Sequence, residues 1–287
     1  MQLKQSERKQ VKLRLGISGA SGFGKTKSAL LLAYGMTNDW SKIAVIDTEN
    51  SSASLYSDMG NFNVIDLSAP YSPERYIEAI ELCEKENISV VIVDSISHEW
   101  NGVGGCLEIH EKLGGRFQDW AIITPRHQAF IDKILNSSCH IITTVRRKID
   151  YSMESENGKS RVVKHGTKEI TREGFEYELT VNFELINDNH LVRASKDRTS
   201  LFANKPEFVI TPATGKRILD WCNVKPTSIK EMLDKIESAL SVSELTKLYN
   251  ENPSYQETLK TQFTDKKIHL EGLTNQQNFS SNGHNHL

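Results

Sequence analysis

The stretch GISGASGFGKTKSALLLA, residues 16–33, decides the fold of this 287-residue chain. Residues 19–26, GASGFGKT, match the pattern G-x-x-x-x-G-K-[ST] at every defined position. The glycines permit backbone angles that turn several N–H groups towards one concavity, and the following helix adds the positive end of its dipole. Residues 11–17 alternate like a strand, and KTKSALLLAYGM has helical periodicity. A chance glycine turn would lack this strand–loop–helix context, so we predict a phosphate-binding loop.

The pattern assigns a chemical role to the residues of this loop. Lys25 is expected to reach the β- and γ-phosphates of a nucleotide, and the Thr26 hydroxyl is expected to ligate Mg²⁺. The predicted ligands are therefore ATP and Mg²⁺. The residues predicted to contact the nucleotide are Gly19, Ala20, Ser21, Gly22, Phe23, Gly24, Lys25, Thr26 and Lys27.

Acidic residues follow two of the predicted strands. Asp94 ends the apolar run VVIVD, where its carboxylate is expected beside the phosphate loop and would hold Mg²⁺ together with Thr26. The alternative is an ordinary aspartate in a turn. Hydrolysis also needs a group that orients water, and the candidates are Asp47, Glu49 and Glu99. We favour Glu49, because the loop after KIAVID should flank the γ-phosphate; for Glu99, a plain surface charge is an equal alternative.

Strand and helix patterns alternate along the first half of the chain. Strands are predicted at 42–47, 63–67, 88–95 and 139–145, with helices starting at Ser72-Pro73 and Thr124-Pro125. This alternation predicts an α/β fold with a doubly wound, mostly parallel sheet. The runs YELTVNFELI, HLVRASK and EFVI, residues 177–186, 190–196 and 207–210, are predicted to add antiparallel strands at one edge.

The composition changes near residue 225. We predict an ATPase core over residues 1–224 and a small helical module over residues 225–271, where apolar residues follow a helical stripe. Residues 272–287 are rich in Asn, Gln and Ser, which predicts a disordered tail.

The bulk composition excludes several classes of protein. The formal net charge of −2 excludes a polycation, so nucleic-acid binding would need a local basic patch. Four cysteines lie far apart, without CxxC pairs or metal-ligand spacing, which predicts reduced thiols and no structural zinc site. The chain has neither an apolar leader nor a run approaching 18 apolar residues, so we expect a cytoplasmic protein without a membrane partner.

The order of the motifs resembles a known family. The chain resembles the ATPase core of RecA-type recombinases in the order of its motifs. These are the phosphate loop, then AVIDTENSSASLYSD, VVIVDS and IITTVRRKID. The chain is also similar to phage-encoded RecA-core ATPases of the AAA type, which include single-strand annealing proteins. The pieces that carry this similarity are GASGFGKT, VDSISHEW, TTVRRK, YELTVNFEL and ASKDRTSLF. The resemblance covers roughly residues 11–223. It implies a RecA-like P-loop NTPase sheet, water activation by Glu49, a metal site at Asp94 with Ser95, and a phage or prophage gene expressed in a bacterial host.

The resemblance also implies two further parts of the ATP site. RecA-type proteins carry an Asn-Gln pair at the end of the strand at 139–145, where the Gln senses the γ-phosphate. Thr143 and Thr144 stand there in this chain, so Thr144 would take that role with a shorter reach. Lys196 and Arg198 correspond to cations that reach the ATP of a neighbouring subunit, which implies a homo-oligomer. The alternative is a pair of surface cations on an edge strand.

The segment after residue 145 is the main candidate for contact with single-stranded DNA. In RecA-like proteins the loop here grips DNA; cations would track the backbone and Tyr151 could stack on a base. The predicted contacts are Arg146, Arg147, Lys148, Tyr151, Lys159, Arg161, Lys164 and Lys168. The alternative is a solvated hairpin turning at Asn157-Gly158, since glutamates dilute its charge. Residues 98–120 form a second candidate through Trp100, Arg116 and Trp120, which could equally be packing residues.

Three functions fit these observations. The first is a DNA-dependent ATPase of phage recombination that anneals or exchanges strands as an ATP-controlled oligomer. The second is a P-loop small-molecule kinase, with residues 146–172 imitating a lid. The third is a nucleotide-gated adaptor or loader whose C-terminal helices bind a protein partner.

Overall fold

A computed structural model describes the backbone of residues 11–156, 159–223 and 228–281, and the side chains of these residues except 151–165 and 273–281. The chain divides into two compact units, the larger of which ends at Asn223. The sequence predicts this division after residue 224.

One sheet organises the larger unit. Its strand order is β3-β2-β4-β5-β1-β7-β8-β9, and β6 pairs with the far part of β5. The strands are β1 (Arg14–Gly19), β2 (Ile43–Asp47), β3 (Asn63–Asp66), β4 (Val90–Asp94), β5 (His140–Glu156), β6 (Lys159–Glu169), β7 (Val181–Leu185), β8 (Leu191–Asp197) and β9 (Phe208–Val209). The pairs from β3 to β7 are parallel, whereas β7–β8, β8–β9 and β5–β6 are antiparallel. The predicted fold class is confirmed.

Helices cover both faces of the sheet because the central strands are apolar on both sides. On β4, Ile92 belongs to one hydrophobic cluster and its neighbour Val93 to the other. The first cluster receives residues of α1 (Lys25–Thr37) and α6 (Pro212–Asn223), and the second receives residues of α2 (Pro73–Lys85) and α5 (Trp120–Asn136). This arrangement makes the sheet doubly wound and brings the carboxyl ends of β1, β2, β4 and β5 to one edge.

Two element boundaries differ from the sequence prediction. Helix α5 begins at Trp120 and contains Pro125, whereas the sequence predicts its start at Thr124-Pro125. Stacking of the Trp120 ring on His110, with ring centroids 4.1 Å apart, stabilises the additional turn. The predicted strand at 177–186 starts only at Val181, because Phe175–Glu178 forms a 3-10 helix.

The region between β4 and α5 contains the short helices α3 (Ser97–Asn101) and α4 (Cys106–Lys112). Beyond it, β5 continues to Glu156, well past the predicted end at residue 145. Its outer part pairs with β6 from Arg147↔Glu169 to Glu156↔Lys159, which forms a two-stranded arm. Asn157 and Gly158, the predicted turn of this arm, lie outside the described residues.

The smaller unit contains α7 (Ile229–Ser238), α8 (Val242–Glu251) and α9 (Lys260–Ser281) around its own core, which includes Met232, Leu245 and Phe263. Ser228 and Glu231 form a reciprocal capping box at the start of α7. The sequence predicts disorder from residue 272, but α9 continues to Ser281. Residues 282–287 lie outside the described part of the chain. None of the described helices combines the length and apolar composition needed to cross a membrane.

Candidate active site

The phosphate loop lies between β1 and α1. β1 ends at Gly19 and α1 begins at Lys25, so the predicted strand–loop–helix context is present. Gly22 and Gly24 have φ angles of 82° and 89°, in the left-handed region that favours glycine. β1 lies between β5 and β7 in the centre of the sheet, which places the loop at the carboxyl edge of the parallel strands.

His190 packs against this loop from the turn between β7 and β8. Its Nδ1 donates to the carbonyl oxygen of Phe23 at 2.8 Å. A Cβ atom on Gly24 would lie 2.6 Å from the same Nδ1, so the imidazole also excludes any larger residue there. Sequence reasoning missed His190, because the contact joins residues 167 positions apart and leaves no local pattern.

Asp94 is the centre of the buried part of the site. One carboxylate oxygen accepts from the Thr26 hydroxyl at 2.5 Å, and the other accepts from the Thr144 hydroxyl at 2.5 Å. Burial raises the pKa of Asp94, and the two hydroxyl hydrogen bonds oppose that shift. Thr26 and Asp94, the predicted metal pair, are therefore in contact, and Thr144 contacts Asp94 from the other side of the carboxylate. A hydroxyl beside a carboxylate offers the oxygen ligands that Mg²⁺ prefers, so these residues fit the ion.

Lys25 lies at the opening of the loop. Its Nζ donates to the carbonyl oxygen of Ala20 at 2.9 Å. Burial lowers the pKa of Lys25, while the charges of Asp94 and Glu49 act in the opposite direction. The three charged side chains predicted for the chemistry thus influence one another across a single site.

Glu49 forms an ion pair with Arg146, and the distance from Arg146 Nε to Glu49 Oε1 is 2.7 Å. Burial acts to raise the pKa of Glu49. Arg146 acts against burial through its hydrogen bond and its charge, and the charges of Lys25 and His98 act in the same direction. Together they outweigh burial, so the pKa of Glu49 is lowered. Glu49 is therefore an ionised, partly exposed carboxylate at the carboxyl end of β2.

The other two candidates for water activation have different surroundings. Asp47 accepts from the backbone N–H groups of Glu49 and Ala53, each at 2.6 Å, and so holds the turn that carries Glu49. Glu99 is buried against Cys106 and His127 instead of the phosphate loop. The geometry favours Glu49 over both.

Lys196 and Arg198 lie together at the end of β8. Both donate to the carbonyl oxygen of Tyr177, Arg198 at 2.6 Å, and Lys196 also donates to that of Glu176 at 2.9 Å. β8 is separated from β1 by β7. Within the described residues, the structure does not bring these two cations to the loop of their own chain.

The predicted DNA contacts have several different environments. Arg146 pairs with Glu49, and Arg147 is held by Glu169 and Glu184. Lys168 pairs with Glu173. Lys148 is exposed. The side chains of Tyr151, Lys159, Arg161 and Lys164 lie outside the described residues, although their backbones form the arm.

An open cleft of about 750 Å³ joins the two segments that the sequence proposes for DNA contact. Aromatic side chains come from residues 98–120, and side chains of both charges come from the segment after residue 145. The aromatic residues are Trp100, Phe117 and Trp120, the cations are Lys148, Lys168 and Arg172, and the carboxylates are Asp150, Glu169 and Glu173. Trp100 and Trp120 stack with ring centroids 5.8 Å apart, and the Phe117 side chain is 88% exposed. Sequence reasoning proposed both segments but could not place them in one cleft.

Comparison with known proteins agrees with this site. A family model described as an AAA domain matches residues 11–211, more than half of the chain. No curated protein matches the chain. The matched region begins just before β1 and ends just after β9, so it contains the phosphate loop, Glu49, Asp94 and the whole sheet. The chain therefore belongs to the AAA-domain family of P-loop ATPases.

Proposed function

We propose that the protein is a Mg²⁺-dependent ATPase that acts on single-stranded DNA in phage recombination, as a RecA-like oligomer. Lys25 and the backbone of the phosphate loop bind the phosphates, and Thr26 and Asp94 hold the metal. When bound, Mg²⁺ neutralises charge on the β- and γ-phosphates. Glu49 orients the water that attacks the γ-phosphate in line with the leaving oxygen.

The cleft supports single-stranded nucleic acid as the partner of this ATPase. The exposed ring of Phe117 offers a stacking surface for an unpaired base, worth about 1–3 kcal/mol. Lys148 and Arg172 line the same cleft and would contact backbone phosphates there, beside the carboxylates of Asp150, Glu169 and Glu173. Bases in a duplex are already stacked on one another and could not use the Phe117 ring, which favours a single strand over a duplex.

One observation carries the proposal: three alternate residues of β5 connect the ATP site to the cleft. Thr144 contacts Asp94, Arg146 contacts Glu49, and Lys148 lines the cleft. Alternate residues of a strand point to the same face, and the register of β5 is uninterrupted from 144 to 148. A single strand of DNA bound at Lys148 could therefore alter the Arg146–Glu49 ion pair directly.

Lys196 and Arg198 support an oligomer. In the part of the chain that the structure describes, both contact carbonyl oxygens of residues 176–177 and not the phosphate loop of their own chain, which is compatible with action on ATP bound to another copy. A cation delivered across an interface in this way stabilises negative charge on the transferring phosphoryl group. The RecA-like motifs support annealing or strand exchange as the outcome, in the cytoplasm of a phage-infected or prophage-carrying bacterium.

A loader or adaptor is the second candidate function. The C-terminal unit has a groove of about 590 Å³ lined by Leu245, Tyr249, Phe263 and Ile268, and the Ile268 side chain is 63% exposed. An apolar groove of this kind is a feature that a partner helix could use. In that case ATP turnover would respond to a protein partner and not to DNA.

ATP turnover with and without single-stranded DNA tests the proposal. We expect wild-type protein to hydrolyse ATP faster with DNA, and Lys25→Ala to be inactive under both conditions. Turnover that depends on Lys25 but ignores DNA would leave the ATPase assignment intact and refute the DNA partner. Absence of turnover and of ATP binding would refute the enzymatic assignment itself.

A further inference from the structure

We propose that Glu99, Cys106 and His127 form a binding site for a zinc ion. The three residues come from α3, α4 and α5, respectively, and their side chains are buried. They lie outside the nucleotide site described above, since Glu99 faces Cys106 and His127. The sequence spacing predicts no such site, because the three ligands meet only when three separate helices pack together.

The distances between the three groups are close to those of a metal site. Glu99 Oε1 lies 3.1 Å from Cys106 Sγ and 3.0 Å from His127 Nδ1, and one ligand atom from each residue lies within 4.8 Å of the others. Tetrahedral zinc, with bonds of about 2.0–2.3 Å, holds such ligands about 3.4–3.6 Å apart. Moving the carboxylate outward by about 0.5 Å would bring both distances to this geometry, and a water molecule would complete the tetrahedron as the fourth ligand.

The ligand chemistry selects the metal. A thiolate, an imidazole and a carboxylate are the three ligand types that zinc takes in proteins. Mg²⁺ and Ca²⁺ prefer oxygen ligands alone and would not select Cys106 or His127. The proposed zinc site is therefore chemically distinct from the Mg²⁺ site at Thr26 and Asp94. A thiolate and a carboxylate with a neutral imidazole balance the charge of Zn²⁺, and the thiol proton leaves to solvent on binding.

The residues that meet between α3, α4 and α5 are polar. Cys106 is the buried residue of α4, and the buried residues of α3 are Ser97 and Glu99. Ring stacking of Trp100 and His110 on Trp120 already joins both short helices to α5, with centroids 5.8 Å and 4.1 Å apart. A metal shared by the three helices would add to this attachment and would use the buried polar groups as ligands.

The alternative is a metal-free cluster held by hydrogen bonds. The Cys106 thiol donates to Glu99 Oε1 at 3.1 Å, and His127 Nδ1 lies 3.0 Å from the same oxygen. Metal binding would remove the thiol proton and replace these contacts with bonds to the ion. Uptake of a metal by the folded protein therefore distinguishes the two arrangements.

Cobalt(II) titration of the full-length, metal-stripped protein tests the proposal, because a cobalt–thiolate bond has its own charge-transfer absorption. We expect one equivalent of Co²⁺ to bind with that absorption and with the visible bands of a tetrahedral ion, and Zn²⁺ to displace it. Cys106→Ser and His127→Gln should abolish the charge-transfer band. Cys139→Ser is the matched control, because its hydroxyl can replace the Cys139 thiol that donates to Ile88.

The result is decisive even if a variant fails to fold. Folded wild-type protein that contains no zinc as purified and gives no cobalt–thiolate band would overturn the proposal. A band that persists in Cys106→Ser would do the same, since the thiolate would then come from another cysteine. Binding without a thiolate band would point to the tail histidines His284 and His286 and would also count against the site. None of these outcomes depends on ATP turnover or DNA.

Discussion

Arg146 Nε lies 2.7 Å from Glu49 Oε1, and this ion pair joins the base of the β5–β6 arm to the carboxylate proposed to orient water. The side chains are 38% and 25% exposed, respectively, so the pair is accessible to a competing anion. A DNA phosphate that attracts the Arg146 guanidinium would release Glu49. The pair would then restrain hydrolysis until DNA is bound.

Arg146→Gln should weaken this restraint. A partly exposed ion pair is worth about 1 kcal/mol or less, so ATP turnover without DNA should rise by up to about fivefold. Stimulation by single-stranded DNA should shrink correspondingly. Steady-state turnover with and without DNA measures both effects. Lys216→Gln is the control, because it removes an exposed ion pair, with Asp220, on α6; a decrease in basal turnover for Arg146→Gln alone would contradict the restraint.

Glu49→Gln should separate ATP binding from ATP hydrolysis. The amide keeps the size of the side chain but loses the charge, and removing a group that orients or deprotonates water costs about 10²–10⁴ in rate. ATP affinity should change little, because Lys25 and the loop bind the phosphates. Equilibrium binding of a labelled nucleotide, measured beside turnover, checks the separation. Unchanged turnover would exclude Glu49 from the chemistry.

Thr144→Val should impair the site through Asp94. The substitution removes the hydroxyl that donates to one buried carboxylate oxygen, which costs about 1–3 kcal/mol when an acceptor is left without a partner. The pKa of Asp94, already raised by burial, should rise further, and a higher Mg²⁺ concentration should be needed for half-maximal turnover. Thr143→Val is the matched control, because that hydroxyl donates to the Leu15 carbonyl oxygen and not to Asp94. Equal Mg²⁺ dependence of the two variants would contradict this role.

Gly24→Ala should be more harmful than Gly22→Ala. Both residues have positive φ, which costs a non-glycine residue about 1–2 kcal/mol. A Cβ at Gly24 would also strike His190, whereas a Cβ at Gly22 would have no atom within 4 Å. His190→Ala combined with Gly24→Ala should recover part of the lost nucleotide affinity, because the clash is gone but the backbone strain remains. No recovery in the double variant would show that His190 does not press on the loop.

The Glu74–Arg126 ion pair predicts a pH dependence of stability. The hydrogen bond from Arg126 holds the pKa of Glu74 at about 2. A carboxylate whose pKa is lower in the folded than in the unfolded chain stabilises the fold at pH values above its pKa in the unfolded chain. For Glu74 this stabilisation is lost as the pH falls towards about 2. The pair joins α2 to α5 on the surface, so its contribution at neutral pH should be about 1 kcal/mol or less. The unfolding free energies of wild type and Arg126→Gln, measured by denaturant unfolding, should differ at pH 7 and converge as the pH falls towards about 2; a constant difference would contradict the linkage.

The parts of the site that follow from local sequence are those with a fixed spacing. The phosphate loop needs its glycines and lysine at set positions, and Asp94 follows a continuous apolar strand, so both could be predicted. The cleft and the contact of His190 with Phe23 join segments distant in the chain, and no local pattern encodes their meeting. The residues of the proposed zinc site lie on three separate helices, so no local sequence pattern predicts that they meet. Pro125 misled the prediction of α5, because the ring contacts of Trp120 extend the helix before it.

Coupling between the ATP site and the cleft through β5 predicts that ATP and DNA strengthen each other's binding. A nonhydrolysable ATP analogue leaves the Arg146–Glu49 pair in place, so the affinity of the wild-type protein for single-stranded DNA can be measured with and without the analogue and Mg²⁺. We expect tighter DNA binding with the analogue, and an increase in analogue affinity by the same factor when DNA is present, because binding linkage is reciprocal. Equal DNA affinity with and without the analogue would rule out coupling through β5.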